Sequence, residues 1–437
     1  MPRRMVLMIG MYVSTIPIFL LANKLFLNGD GYEAFSPHTI KHKVIVYVGV
    51  TIALAIINEA RASGLWSGIH WWRTRSIKTL MWLTAPLALR GVVLYIAAIA
   101  LGLEHPLVFA GAGVATDPAA VGLAVGLVGE TRYLAGLSWQ LTVESLYNDI
   151  IGLAVIGIGA GYSAHELGVS VGNSIVIGLG LAVVCALIAE VLRTLGLARR
   201  FEFPMIWIAT AICLFIVGQH ELGGIIFVGV VASSVFDLLE AVFIRNAASK
   251  ADHHAIRHQW ELGNIVGLTS VLACWALLFP INGAIREGWT GLAYAAISLG
   301  LIITTRFISA YGEERSDPVV DQDGSINYGP EAVFLLWLAG SSLLGVPMLG
   351  ALENYAMGGR LAPVVIFEMI GLSLLLVGPT VKRFIFTEVK YADRFDRELD
   401  QAVGVTPDVQ RLIDWIRRRQ PAHRTADHPE VPHESDR

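Results

Sequence analysis

Glu144, Ser145, Asn148 and Asp149 lie within one hydrophobic run, 138–158. Spaced at i, i+1, i+4 and i+5, they line one face of a helix across about one turn. A carboxylate near the centre of a bilayer costs at least a few kcal/mol on insertion scales, and two cost more. Such residues face a bundle interior or a watery cavity, so this stretch reads as an ion or proton site.

A second polar group interrupts the run 107–127, which holds Gly111, Gly113, Thr116, Asp117 and Pro118. Pro118 carries no N–H, and its ring clashes with the carbonyl of Val114, so the helix is expected to break near mid-membrane. Backbone broken at that depth persists only where it is buried in protein or lines a cavity. Taken alone, the segment is either a plain proline kink or a coordination point. In the second case, freed carbonyls hold a cation and Asp117 reaches it or caps a half-helix. Beside the 144–149 cluster, the coordination reading is preferred. The run 331–352 is interrupted too, by Gly340, Ser341, Ser342, Gly345 and Pro347. Paired interruptions in corresponding halves mark an inverted-repeat transporter.

Other intramembrane charges need partners. Arg306, deep in the run 289–311, is expected to pair with Glu144. Glu59 ends the run 43–58, where it is either functional or a snorkelling acid at the interface. Glu190 is placed to pair with Arg193, and Glu368 has no evident partner. The pairs His253-His254 and Trp71-Trp72 read as loop or interfacial residues. No HExxH, CxxC, P-loop or GxSxG pattern stands in a usable context, so neither an enzyme active site nor a cofactor is expected.

The elements that must position these residues are membrane helices. The chain has 437 residues, 54% hydrophobic and only 16% charged, with a mean hydropathy of +0.60. Apolar stretches of about twenty residues recur from end to end. The candidate spans are 5–27, 43–58, 79–103, 107–127, 138–158, 170–192, 203–218, 222–244, 261–281, 289–311, 331–352 and 361–386. This predicts an all-α polytopic membrane protein with about twelve transmembrane helices. Lys and Arg concentrate in alternate connecting segments, which places both termini in the cytoplasm. The net charge of −4 is small and dispersed, giving no reason to expect a nucleic-acid partner. Cys185, Cys213 and Cys274 all fall inside apolar runs and read as small buried hydrophobes. Residues 389–437 form a charged tail. Within it, Thr406-Pro407-Asp408 opens a short amphipathic stretch, which is an interfacial helix, a regulatory contact or a solvated segment.

The segment Ala115-Thr116-Asp117-Pro118-Ala119-Ala120-Val121, followed by Glu144-Ser145-Leu146-Tyr147-Asn148-Asp149, resembles the monovalent cation:proton antiporter superfamily. It is most similar to the Na+/H+ exchanger (NhaP/NHE-like) branch. The resemblance implies two inverted repeats with crossing discontinuous helices. It implies a membrane domain over 1–388, with a mobile core of about 79–158 and 289–386. A dimerisation scaffold would cover about 5–58 and 170–281. Asp149 would bind either cation or proton, and Asn148 would mark the electroneutral branch. Asp149, Ser145, Thr116 and Asp117 would ligate Na+, Glu59 would approach through water, and Glu144 with Arg306 would form a structural ion pair. The partners implied are Na+ or another monovalent cation, H+, the bilayer and a second copy in a homodimer of the plasma membrane. A K+/H+ antiporter, an organic-anion transporter or a non-transporting sensor of the same fold is the alternative.

Three features depart from that family's pattern. The chain lacks the first of the thirteen helices common there, or starts downstream of it. Leu338-Ala339-Gly340-Ser341 stands where many members have an Arg-Gly pair, and Asn58 replaces the usual aromatic before Glu59.

Overall fold

The computed structural model describes residues 3–63, 77–115, 132–218, 224–239, 250–313, 319–320, 326–327, 334–335, 338, 344–376, 379–380 and 383. These residues are helical almost throughout, and the protein is an all-α polytopic membrane protein. Its helices are α1 (Arg3–Phe26), α2 (Ile45–Ser63), α3 (Ile77–Ala100), α4 (Pro106–Val114), α5 (Arg132–Gly159) and α6 (Ala164–Thr194). They continue with α7 (Ala198–Gly218), α8 (Gly224–Leu239), α9 (Lys250–Leu278), α10 (Ile281–Glu313), α11 (Gly345–Ala356) and α12 (Leu361–Leu376). A π-helical segment, Ile40–Val44, leads into α2. A two-residue antiparallel ladder, Val319–Val320 with Ile326–Asn327, adds a small element that the helical reading of the sequence omits.

Among the described residues, four helical stretches are long and apolar enough to cross a membrane: Pro37–Asn58, Ala164–Thr194, Ala198–Val217 and Ile281–Ser309. Their outward surfaces agree with that medium. On α6, Val176 is 69% exposed and Leu187 60%, and Ile212 and Ile216 project similarly from α7. A continuous apolar face of this extent suits lipid and would be a liability in water.

Two buried clusters organise the bundle, and α2 divides them. Ile45, Val48, Ile52, Ala55 and Ile56 face a cluster built from α3, α4, α5, α10, α11, α12 and the C-terminal half of α9. Val46, Ala53, Leu54 and Ile57 face the other, built from α6, α7, α8 and the N-terminal half of α9. The two sets recur at helical spacing on opposite sides of one helix. Asn58 closes the seam between α2 and α9 by donating from Nδ2 to the Gly263 carbonyl at 3.0 Å.

Several boundaries differ from those expected. The tenth helix runs from Ile281, but Gly288 (φ 55°, ψ −132°) separates its first two turns from the long segment that the apolar run marks. His253 and His254 lie within α9 and not in a loop. Arg193 does not pair with Glu190, which points outward. The chain reverses at Gly196 (φ 68°), and α7 brings Glu202 back to Arg193 in a two-pronged, fully buried bond with both contacts at 2.7 Å. That geometry suits the guanidinium fork.

Candidate ion-binding site

Helix α4 starts with proline at its first position, Pro106. Its residues Val108 to Val114 are all buried, and it ends at Val114, with Ala115 extended at φ −67° and ψ 142°. Nine residues rise about 14 Å, roughly half of a hydrocarbon core. The end falls four residues before Pro118. That is where a proline removes the donor for the i−4 carbonyl. The structure supplies another donor from a different helix: Arg90 on α3 donates from Nη1 to the Val114 oxygen at 3.2 Å. Arg90 is 1% exposed and is absent from the candidate residues that sequence reasoning singles out. Two signals were available to find it: a charge in the middle of the run 79–103, and a carbonyl that Pro118 leaves without a partner.

Helix α5 packs against α4 in the opposite chain direction, through small residues. A methyl group at Gly152 would lie 2.9 Å from both the Ala115 Cβ and the Gly111 carbonyl oxygen. One at Gly159 would meet Val108 at 2.8 Å. The backbones therefore run in close contact, which larger residues would prevent. Gly152 follows Asn148 and Asp149 by one turn, so the turn carrying both polar residues lies next to the end of α4. Asn148 is 0% exposed and Asp149 1%.

Glu144, one turn earlier on α5, is buried and forms an ion pair with Arg306 of α10. Nη2 donates to Oε2 at 2.8 Å, and Nη1 approaches Oε1 at 2.5 Å. Arg90 lies within electrostatic reach of both partners. Thr305, beside Arg306, turns its hydroxyl onto the Ile302 carbonyl at 2.9 Å. Two guanidinium groups, Arg90 and Arg306, thus lie near the buried Glu144 carboxylate.

The second short helix, α11, is buried from Gly345 to Asn354. It crosses α4 closely: a methyl at Gly350 would lie 2.7 Å from the Ala112 Cβ. Near the ends of these two short helices, Glu104 accepts hydrogen bonds from the amides of Arg360, Leu361 and Ala362 at 2.9–3.3 Å. Asn354 donates to the Glu104 carbonyl at 2.9 Å. Burial alone would push the Glu104 carboxyl up, but these three amides together with its own backbone N–H hold it below the ordinary carboxylate range.

Thr116 and Asp117 lie outside the described residues, as do the tail and Trp71-Trp72. Ser145 and Glu59 belong to α5 and α2 by backbone, and their side chains lie outside the described set. Glu368 of α12 directs a buried carboxylate oxygen at Gly291 of α10, where a methyl would come within 2.8 Å. Among the described residues no group of three or more His, Cys, Asp or Glu side chains is placed to hold a metal ion.

No protein-family profile and no curated protein sequence matches the chain. Its fold is similar to that of the sodium proton antiporter MjNhaP1 from Methanocaldococcus jannaschii at pH 8. The similarity covers 86% of this chain and 99% of that one, at 16% identity and a TM-score of 0.47. Function is therefore read from the site's own residues.

Proposed function

We propose that the chain is a secondary transporter that exchanges a monovalent cation, Na+ or Li+, for H+ at one carboxylate, Asp149. The observation that carries this reading is a buried aspartate one turn from the end of an interrupted helix in the membrane interior. A charged carboxylate is costly there, and binding a proton or a metal cation offsets that cost. The two ligands then compete for one place. Glu144 is engaged by Arg306, so the exchange role is assigned to Asp149.

Thr116 and Asp117 follow Ala115 in the chain, within two residues of the α4 end, and are assigned as further ligands on that connectivity. Ser145 is assigned its hydroxyl contact from its place on α5, and Glu59 an approach through water. With the neutral Asn148 beside the site, one H+ for one Na+ moves no net charge. The two apolar clusters support a division into a mobile core carrying the site and a scaffold, which we assign to a homodimer with cytoplasmic termini in the plasma membrane.

The test is cation-dependent dissipation of a pH gradient in proteoliposomes, with Na+, Li+ and K+ compared. Parent protein should dissipate the gradient on addition of Na+ or Li+. Asp149→Asn should abolish the response while keeping the parent's thermal unfolding temperature. Robust exchange by that variant would end the assignment, and a response to K+ alone would reassign the cation.

A further inference from the structure

Glu368 lies seven residues after Leu361, the start of α12, and so about 10 Å along that helix. Exchange at Asp149 makes no use of it. The residue is 8% exposed, and its Oε2 meets no hydrogen-bond donor among the described residues. That oxygen is aimed at α10 just past the Gly288 kink. A methyl built on Gly291 would lie 2.8 Å from it and 3.2 Å from the Cβ of Glu287. Two acidic side chains therefore converge beside Gly291, and like charges so placed repel.

The neighbouring guanidinium is already engaged. Arg286 donates from Nε to Glu287 at 2.9 Å and from Nη2 to Glu33 of the α1–α2 connection at 3.0 Å. Glu33 lies beside Gly283 and Val364, one turn before Glu368 on α12. Glu287 of α10 is thus the charged group that faces Glu368, with Arg286 and Glu33 behind it. From α9 comes Trp275, whose Nε1 donates to the Phe367 carbonyl at 3.3 Å. Side-chain exposure falls from 52% at Arg286 to 25% at Glu287, so the group opens to solvent at one end and Glu368 closes it. A charged carboxylate is costly in such a place, and one proton offsets that cost. A metal cation fits less well. Glu287 is held by Arg286, and among the described residues no third acidic, His or Cys side chain completes a ligand set.

We infer that Glu368 is a second proton-binding carboxyl, separate from Asp149, whose occupancy sets how α12 seats against α10 beyond the Gly288 kink. With its proton, Glu368 rests on the Gly291 backbone without repelling Glu287. Ionised, it is pushed from Glu287, and the α10–α12 contact loosens. The role does not require that Asp149 exchange ions.

The test is infrared difference spectroscopy of the full chain in lipid, titrated with alkali without Na+, on the parent, Glu368→Gln and Glu287→Gln. The parent should show the C=O stretch of a buried carboxylic acid that disappears at alkaline pH, and Glu368→Gln should lack that band. Asp149 and Glu144 are unchanged in the variant, so their signals cancel in the comparison. A nearby negative charge favours the protonated form of a carboxyl. Glu287→Gln should therefore move the loss of the band to lower pH. Hydrogen–deuterium exchange over 285–295, compared at one alkaline pH, should be slower in Glu368→Gln than in the parent, because glutamine keeps the shape without the charge.

Identical infrared titrations of the parent and Glu368→Gln overturn the inference, and so does equal amide exchange over 285–295. Loss of the band on adding Na+ at constant pH would make Glu368 a cation ligand and overturns it as well. If Glu368→Gln fails to accumulate, Glu287→Gln decides, and an unmoved band overturns the inference. None of these readouts uses transport, so a parent that exchanges no cation ends the reading of Asp149 and leaves the result at Glu368 standing.

Discussion

Glu144 shows why a buried ion pair is judged by what its loss leaves behind. Desolvating both partners offsets much of their attraction, so the intact pair contributes little net stability. Removing one partner strands the other. Glu144→Ala leaves Arg306 buried beside Arg90, two like charges in one low-dielectric interface. We expect it to destabilise the protein by about 3–5 kcal/mol, read as a large drop in the unfolding temperature in detergent. The double variant Glu144→Leu with Arg306→Leu should recover most of that loss. A single variant that melts like the parent would mean that Glu144 does not balance the guanidinium. Arg193 and Glu202 form a second fully buried pair far from the site, and the same reasoning makes either single substitution severe.

At the scale of elements, the site depends on how closely α5 approaches the end of α4. Glycine permits that approach at Gly152, where any side chain would enter the space of Ala115 and the Gly111 carbonyl. Gly152→Ala should cost roughly 1–3 kcal/mol as an overpacked contact and should also impair exchange, because it moves the Asp149 turn. Gly180, on α6, has open space where a methyl would go. Gly180→Ala should be neutral or stabilising by up to about 1 kcal/mol, since alanine favours the helix. Equal effects at the two positions, measured by thermal unfolding, would refute the packing argument. Gly31 (φ 55°) is a third kind of case. A side chain there would run into the carbonyls of Leu278 and Phe279, where α9 ends.

At the scale of the whole molecule, Glu104 joins the α3–α4 connection to the start of α12. Its carboxyl is held below the usual range, so its stabilising effect is fully present above the unfolded-state pKa. That effect is lost as pH falls through the lower folded-state pKa. Glu104→Gln should be less stable than the parent near neutrality by about 1 kcal/mol, a figure already reduced for partial solvent exposure. The difference should close as the pH is lowered through and below the ordinary carboxylate range. A constant difference across the acid range would assign the effect to packing and not to the charge.

Much of this protein was legible in its sequence because the interactions concerned are local. Apolar runs of about twenty residues mark the spans without knowledge of any partner. Pro118 acts on the carbonyl four residues earlier, and α4 ends at that residue. The shared face of Glu144, Asn148 and Asp149 follows from helical spacing, and all three are buried. Only the tertiary structure decided which group answers each buried need. Arg90 replaces the missing proline N–H from a separate helix, Glu202 and not Glu190 meets Arg193, and α4 touches α11 at Ala112 and Gly350. Helical hydrogen bonding spans four residues. Ion pairing and close packing join groups by distance in space, and Arg306 reaches Glu144 across 162 positions of chain.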